Sequence, residues 1–182
     1  MIRRPGLAAL AMTFLLGTAG SVLLGRDSVP AEGSKAIDFT LQSQEGKPVS
    51  LHDFRGQWIV LYFYPKDMTK GCTIEAHNFQ RDLAQYEAKK ATVIGVSVDS
   101  VDSHQQFCTK DSLTFRLLSD PTHQVVDKYG SVMQFGQNVL AARNTFIIDP
   151  NFVIRKVYTK VNPEPHSHQV LAELTELQKA GE

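Results

Sequence analysis

Residues 58–86 read WIVLYFYPKDMTKGCTIEAHNFQRDLAQY, and the order of residue types in this stretch decides the fold class. Trp58 to Tyr64 is a continuous apolar run, the pattern of a strand buried in the centre of a sheet. Pro65 lacks the amide proton a ladder needs and ends it. Beyond it Ala76, Phe79, Leu83 and Tyr86 recur at spacings of three, four and three, which is one face of a helix. Working outward, TVIGVSV (92–98) repeats the buried-strand pattern, SHQQFCTKD (103–111) reads as a short helix and TFRLLSD (114–120) as a short extended segment. PTHQVVDKYG (121–130) reads as a helix started by Pro121 and stopped by Gly130. NTFIID (144–149) and FVIRKVY (152–158) form a hairpin-like pair around Pro150 and Asn151. Val170, Leu171, Leu174 and Leu177 mark a last amphipathic helix. Upstream, AIDFTLQS (36–43) alternates, and KPVSL follows Gly46, predicting an N-terminal β-hairpin. The chain is therefore α/β, with a central mixed sheet flanked by helices.

The composition narrows the function. Nineteen Lys and Arg balance nineteen Asp and Glu, so no electrostatic pull toward nucleic acid or anionic lipid is expected. No phosphate-cradling glycine loop and no basic stripe with aromatics is present. Two cysteines, Cys72 and Cys108, are too few for a disulfide scaffold. They are either one structural bridge, a redox pair or two unrelated thiols.

The first 25 residues, MIRRPGLAALAMTFLLGTAGSVLLG, carry Arg3 and Arg4 and then no charge from Pro5 to Gly25. This is the charged and then apolar organisation of an export signal. SVPAEG (28–33) offers Val29 and Ala31 to a signal peptidase, and GTAG (17–20) is an earlier candidate. The run from residue 6 to 25 is long enough to be an uncleaved membrane anchor instead. The expected organisation is a signal or anchor with linker over residues 1–31, polar linker continuing to Lys35, and one domain over 36–182. The domain is then expected outside the cytoplasm, in the periplasm or its equivalent, where disulfides persist.

Cys72 has the most informative surroundings. It falls in the first turn of the predicted helix, at the carboxyl-end rim of the sheet. Thr69 stands three residues before it, the spacing of an N-cap to its N3 residue. Gly71 lets the backbone approach closely. Unpaired amide protons and the positive helix end favour a thiolate there.

PKDMTKGC fits the peroxiredoxin pattern of Pro, three residues, Thr, two residues, Cys. FYPKDMTKGCTIEAHNFQRD, VIGVSVDSVDSHQQF, FRLLSDPTHQVVDKYG and RNTFIIDPNFVIRKV together resemble the peroxiredoxin Q, or bacterioferritin comigratory protein, branch, from about Ala36 to the end of the chain. That resemblance implies a thioredoxin-like fold and a thiol-dependent peroxidase acting on hydrogen peroxide and organic hydroperoxides, with no cofactor and no metal. Cys72 would be the peroxidatic cysteine, oxidised to a sulfenic acid. Thr69 would hydrogen-bond the thiolate or the peroxide, and Pro65 would shield the sulfenate. Arg143 would stabilise the thiolate and polarise the peroxide. Glu75 would orient an arginine. The implied reductant is thioredoxin-like or a small thiol, and a monomer is expected.

Taken singly, each residue has a plainer reading: Thr69 a cap, Pro65 a strand end, Arg143 a solvated flank, Cys72 an inert thiol. Their conjunction in order favours the chemical reading. One departure matters. Many members of the branch carry a second cysteine five residues after the first, where this chain has His77. Cys108 is the only other thiol, 36 residues on, and falls where a subset of the branch places its resolving cysteine. A bridge to it requires Cα atoms within about 7 Å, and with that some unwinding of the Cys72 helix. The alternative is that Cys108 is a small apolar helix residue beside Phe107 and that an external thiol resolves the sulfenic acid.

Three further readings compete. A thioredoxin-like disulfide oxidoreductase would want Cys-x-x-Cys, and CTIE lacks the second cysteine. An exported binding or structural domain with a permanent Cys72–Cys108 bridge leaves Thr69 and Arg143 unexplained. His77 with Cys72, or HSH at His166 to His168, could suggest a metal. The first pair lies on poorly matched helix faces, and the second reads as a solvated helix start.

Overall fold

A computed structural model describes residues 28–180; the export-signal or anchor expectation for residues 1–25 lies outside them. Seven strands form one mixed sheet, in the order β2 (Pro48–Ser50), β1 (Thr40–Ser43), β5 (Arg116–Ser119), β4 (Ala91–Ser97), β3 (Trp58–Phe63), β8 (Asn144–Ile148) and β9 (Ile154–Thr159). The stretch quoted above supplies its centre. Strand β3 runs parallel to β4 and antiparallel to β8. Helix α1 (Lys70–Ala88) is the crossover that makes the β3–β4 pair parallel. β5 extends the parallel set, while β1 with β2, and β9, close the edges antiparallel.

Side chains of β3 alternate between two cores, as period-two geometry requires. Ile59, Leu61 and Phe63 join Ile94, Val96, Phe146 and Ile148 on one face. Val60, Tyr62 and Tyr64 face the other layer, built from α1 (Ala76, Phe79), α2 (Val101–Asp111, through Phe107) and α4 (His166–Ala180, through Val170 and Leu174). Cys72 belongs to this second core and Cys108 packs against it. Both thiols therefore lie in the same layer.

Two expectations need correction, and one hairpin was not expected. Helix α3 covers only Gln124–Lys128 and does not start at Pro121. His123 sits at φ 48°, and the buried Asp120 carboxylate caps the helix from outside by accepting from the amides of Gln124, Val125 and Val126 at 3.1, 2.8 and 2.9 Å. Residues 28–35 are not a free linker. Val29 packs on the first core, the Gly33 amide donates to Ile154 O at 2.7 Å, and Lys35 bridges Val153. Residues 132–141 form a hairpin that periodicity alone did not reveal, β6 (Val132–Phe135) and β7 (Asn138–Ala141), with Phe135 opposite Asn138. Gly136 at φ 60° makes its two-residue turn.

Candidate active site

Backbone geometry brings Cys72 into place. β3 ends at Phe63, the chain turns through Pro65 and Met68 (φ 56°), and α1 begins at Lys70 with Thr69 in the N-cap position. Cys72 is the third helical residue. Its first turn holds no acidic side chain, so the positive helix end is left for an anion at the sulfur.

The expected N-cap bond is not made. Thr69 is extended, as a cap residue should be, but its side chain accepts nothing from the first turn. Its hydroxyl instead lies 2.9 Å from Cys72 Sγ and 3.0 Å from Lys66 O. One hydroxyl proton serves one of these at a time, so Thr69 can donate to the sulfur or turn away from it.

Arg143, immediately before β8, reaches the same sulfur from the neighbouring strand. Nη2 donates to Cys72 Sγ at 3.1 Å, and Nη1 donates to Glu75 Oε2 at 2.5 Å. Glu75 thus orients the arginine, one helical turn beyond the cysteine. Burial pushes the Glu75 carboxyl up to about 7, only partly offset by the Arg143 charge. Burial also works against the Arg143 cation, but Glu75 and Cys72 outweigh it and hold the guanidinium charged. Cys72 is 1% exposed, so these donors act where water screens them little.

Thr69 and Pro65 also line a groove of about 590 Å³, together with Met133, Phe135, Val139 and Leu140 of the β6–β7 hairpin. Phe135 is 68% exposed and Met68 41%, both large apolar side chains at this end of the molecule. The sequence reading did not find this hairpin; the signal was Gly136 and Gln137 between two short apolar runs.

The remaining candidates lie elsewhere or play other parts. His77 is exposed and its Nε2 meets Asp111 at 2.9 Å, tying α1 to the end of α2. His166 is not a solvated helix start: it is fully buried, its Nε2 bonds Thr145 Oγ1 at 2.8 Å, and burial pulls it down to about 4. Cys108 is half-buried and, like Cys72, a free thiol. Burial, and after it the Asp67 charge, pushes the Cys108 thiol up to about 11. A buried polar group went unnoticed in the sequence: Asp67, His104, Ser103 and Tyr64 meet between the Cys72 loop and α2.

The site can therefore hold a sulfur anion between a hydroxyl and a guanidinium beside an apolar groove. The model of the AhpC/TSA family matches residues 33–157. A putative peroxiredoxin bcp of Coxiella burnetii is 42% identical over 146 residues, 78% of this chain and 97% of that one. A cysteine-to-serine mutant of Xylella fastidiosa PrxQ superposes with a TM-score of 0.79 at 33% identity, covering 83% of this chain and 99% of that one. Two Xanthomonas campestris peroxiredoxin Q mutants superpose with a TM-score of 0.72 at 32% identity, over 76% of this chain and 90% of theirs. Their serines replace cysteines at two positions 36 apart.

Proposed function

Because the chain belongs to the AhpC/TSA family and is a thiol-dependent peroxidase of the peroxiredoxin Bcp/Q kind, we propose that Cys72 is the thiol that reduces the peroxide. The observation that carries this reading is the position of Cys72 Sγ, 2.9 Å from the Thr69 hydroxyl and 3.1 Å from Arg143 Nη2. The thiolate attacks the nearer peroxide oxygen, the O–O bond breaks, and the other oxygen leaves as hydroxide or alkoxide and takes up a proton. Cys72 is left as a sulfenic acid. Arg143, pinned by Glu75, neutralises the sulfur anion at the start and the departing oxygen as the bond stretches. Thr69 directs its proton to whichever oxygen or sulfur carries the charge. Pro65, half-buried and lining the groove with Thr69, limits water at the sulfenate.

Cys108 is the proposed resolving thiol. It packs in the same apolar layer as Cys72, and the separation of 36 residues equals that of the two cysteine positions replaced in the Xanthomonas mutants. The Cys108 thiol attacks the sulfenate sulfur, the S–O bond breaks, and water leaves with the thiol proton. A thioredoxin-like protein or a small thiol then reduces the disulfide. The amino-terminal sequence supports export, with residues 6–25 as a signal or a tether, and a monomer is the proposed working form. Peroxide consumption driven by dithiothreitol tests the assignment. Wild type should turn over and Cys72→Ser should fall to background; turnover by Cys72→Ser would move the chemistry to another residue.

A further inference from the structure

The group that peroxide reduction leaves unused is the buried one around Asp67. Asp67 lies between β3 and Thr69, in the loop that carries Cys72 into position. Its side chain is 1% exposed. Oδ1 accepts from Tyr64 Oη at 2.6 Å, and Oδ2 accepts from Ser103 Oγ at 2.7 Å and His104 Nδ1 at 2.8 Å. The Asp67 amide donates to Asp99 Oδ2 at 2.9 Å, which also accepts from Ser97 Oγ at 2.7 Å. Ser103 and His104 are on α2, and His104 is one turn before Cys108. The ring is fully buried, and Nε2 finds no partner among the described residues, so the imidazole is anchored through Nδ1. This carboxylate is a direct polar tie between the loop that positions one cysteine and the helix that carries the other.

We infer that Asp67, with Ser103 and His104, is a clasp that positions the two cysteine-bearing segments and limits the rate of disulfide formation without limiting peroxide attack. The proposal rests on Cys108 being the resolving thiol. Both cysteines are free in the packed protein. Cys72 Sγ is engaged by Thr69 and Arg143, so bonding it to Cys108 requires the sulfur to leave both donors and the first turn of α1 to move with it against α2. Peroxide attack needs no such shift, because Thr69, Arg143 and Cys72 are already assembled. Bonds from Asp67 to α2 therefore add to the barrier of the second step alone. The Asp67 charge works in the same direction by disfavouring a Cys108 thiolate.

The test is a single turnover with one equivalent of hydrogen peroxide. Samples are acid-quenched, alkylated and weighed intact, so that loss of the Cys72 thiol and appearance of the disulfide are timed separately. Ser103→Ala removes one bond to Asp67 with little change of volume. It should speed disulfide formation about fivefold, the worth of one ordinary hydrogen bond, and leave the rate of thiol loss unchanged. Asp67→Asn should speed it further, and at excess peroxide both variants should accumulate less Cys72 sulfinic acid. An unchanged or slower disulfide step in Ser103→Ala, or parallel changes in both steps, would overturn the clasp. If wild type forms no Cys72–Cys108 disulfide, the resolving assignment itself fails and the clasp falls with it, a result distinct from the first.

Discussion

Gly71 and Arg143 fit together at the reactive sulfur: a Cβ built on Gly71 would lie 2.9 Å from Arg143 Nη2, the same nitrogen that donates to Cys72. The glycine is there for the guanidinium. Because the obstructed atom is the end of a flexible side chain, Gly71→Ala should fold, and alanine inside the first helical turn costs nothing in propensity. The guanidinium, however, must shift within its position between Cys72 and Glu75. Peroxide attack should slow by about tenfold or more, approaching the loss for a missing charge-stabilising donor, with an unchanged melting temperature. Second-order rates of Cys72 oxidation measured beside thermal melts check this, and an unimpaired rate would detach Gly71 from the arginine.

Glu75 should leave a signature in stability. Its carboxyl titrates at about 7 in the folded chain, against an ordinary value of 4.5. The folded state holds the proton more tightly, so the unfolded chain binds fewer protons between those values. Stability then falls as pH rises from about 4.5 to about 7. Glu75→Gln lacks this contribution, and its unfolding free energy should lose up to about 3 kcal/mol less than wild type across that window. Urea denaturation at pH 5 and pH 8 gives the comparison. Identical pH slopes for the two proteins would contradict the raised carboxyl.

Tyr62 stands opposite Gly95 in the β3–β4 ladder, and its ring occupies the space a side chain at 95 would take. A Cβ there would meet Leu117 Cδ2 at 2.7 Å and Tyr62 Oη at 2.8 Å. Both neighbours are fully buried, so neither can yield freely. Gly95→Ala should destabilise the fold by about 1–3 kcal/mol, as overpacking does, and denaturant titration reads this directly. A neutral substitution would show that the second core is looser than its contacts indicate.

The groove beside Thr69 should govern which peroxide is preferred. Phe135, the most exposed large apolar side chain among the described residues, forms part of the hairpin wall. Phe135→Ser should lower kcat/KM for cumene hydroperoxide several-fold, through the lost apolar contact, and leave hydrogen peroxide unaffected. Equal effects on both substrates would place the groove outside the binding path.

Most of this architecture was legible because it rests on local patterns. The apolar run over Trp58 to Tyr64 and the spacing of Ala76, Phe79 and Tyr86 correspond to the central strand and the buried face of α1. Cys72 could be placed in a first helical turn because Pro65 and the helix periodicity bracket it. What stayed hidden depends on long-range partners. The Thr69 hydroxyl bonds a sulfur instead of capping, and the arginine that meets the same sulfur lies 71 residues beyond Cys72, outside any local pattern. Asp120 starts α3 from outside the helix while His123 adopts a positive φ, which cancels the signal of Pro121. His166 looked like a surface histidine because only the packed α1, β8 and β9 around it, through Phe79, Thr145 and Tyr158, make it a core residue. Asp67 and His104 are 37 positions apart, and no periodicity links them.

The most direct test of the central claim is the fate of the Cys72 sulfur after one equivalent of peroxide. The Cys108→Ser protein, oxidised in the presence of a sulfenic-acid trap and digested for mass spectrometry, should carry the trap on the peptide containing Cys72, in proportion to the peroxide consumed. Peroxide consumed while that peptide stays reduced and unmodified would contradict Cys72 as the reacting thiol.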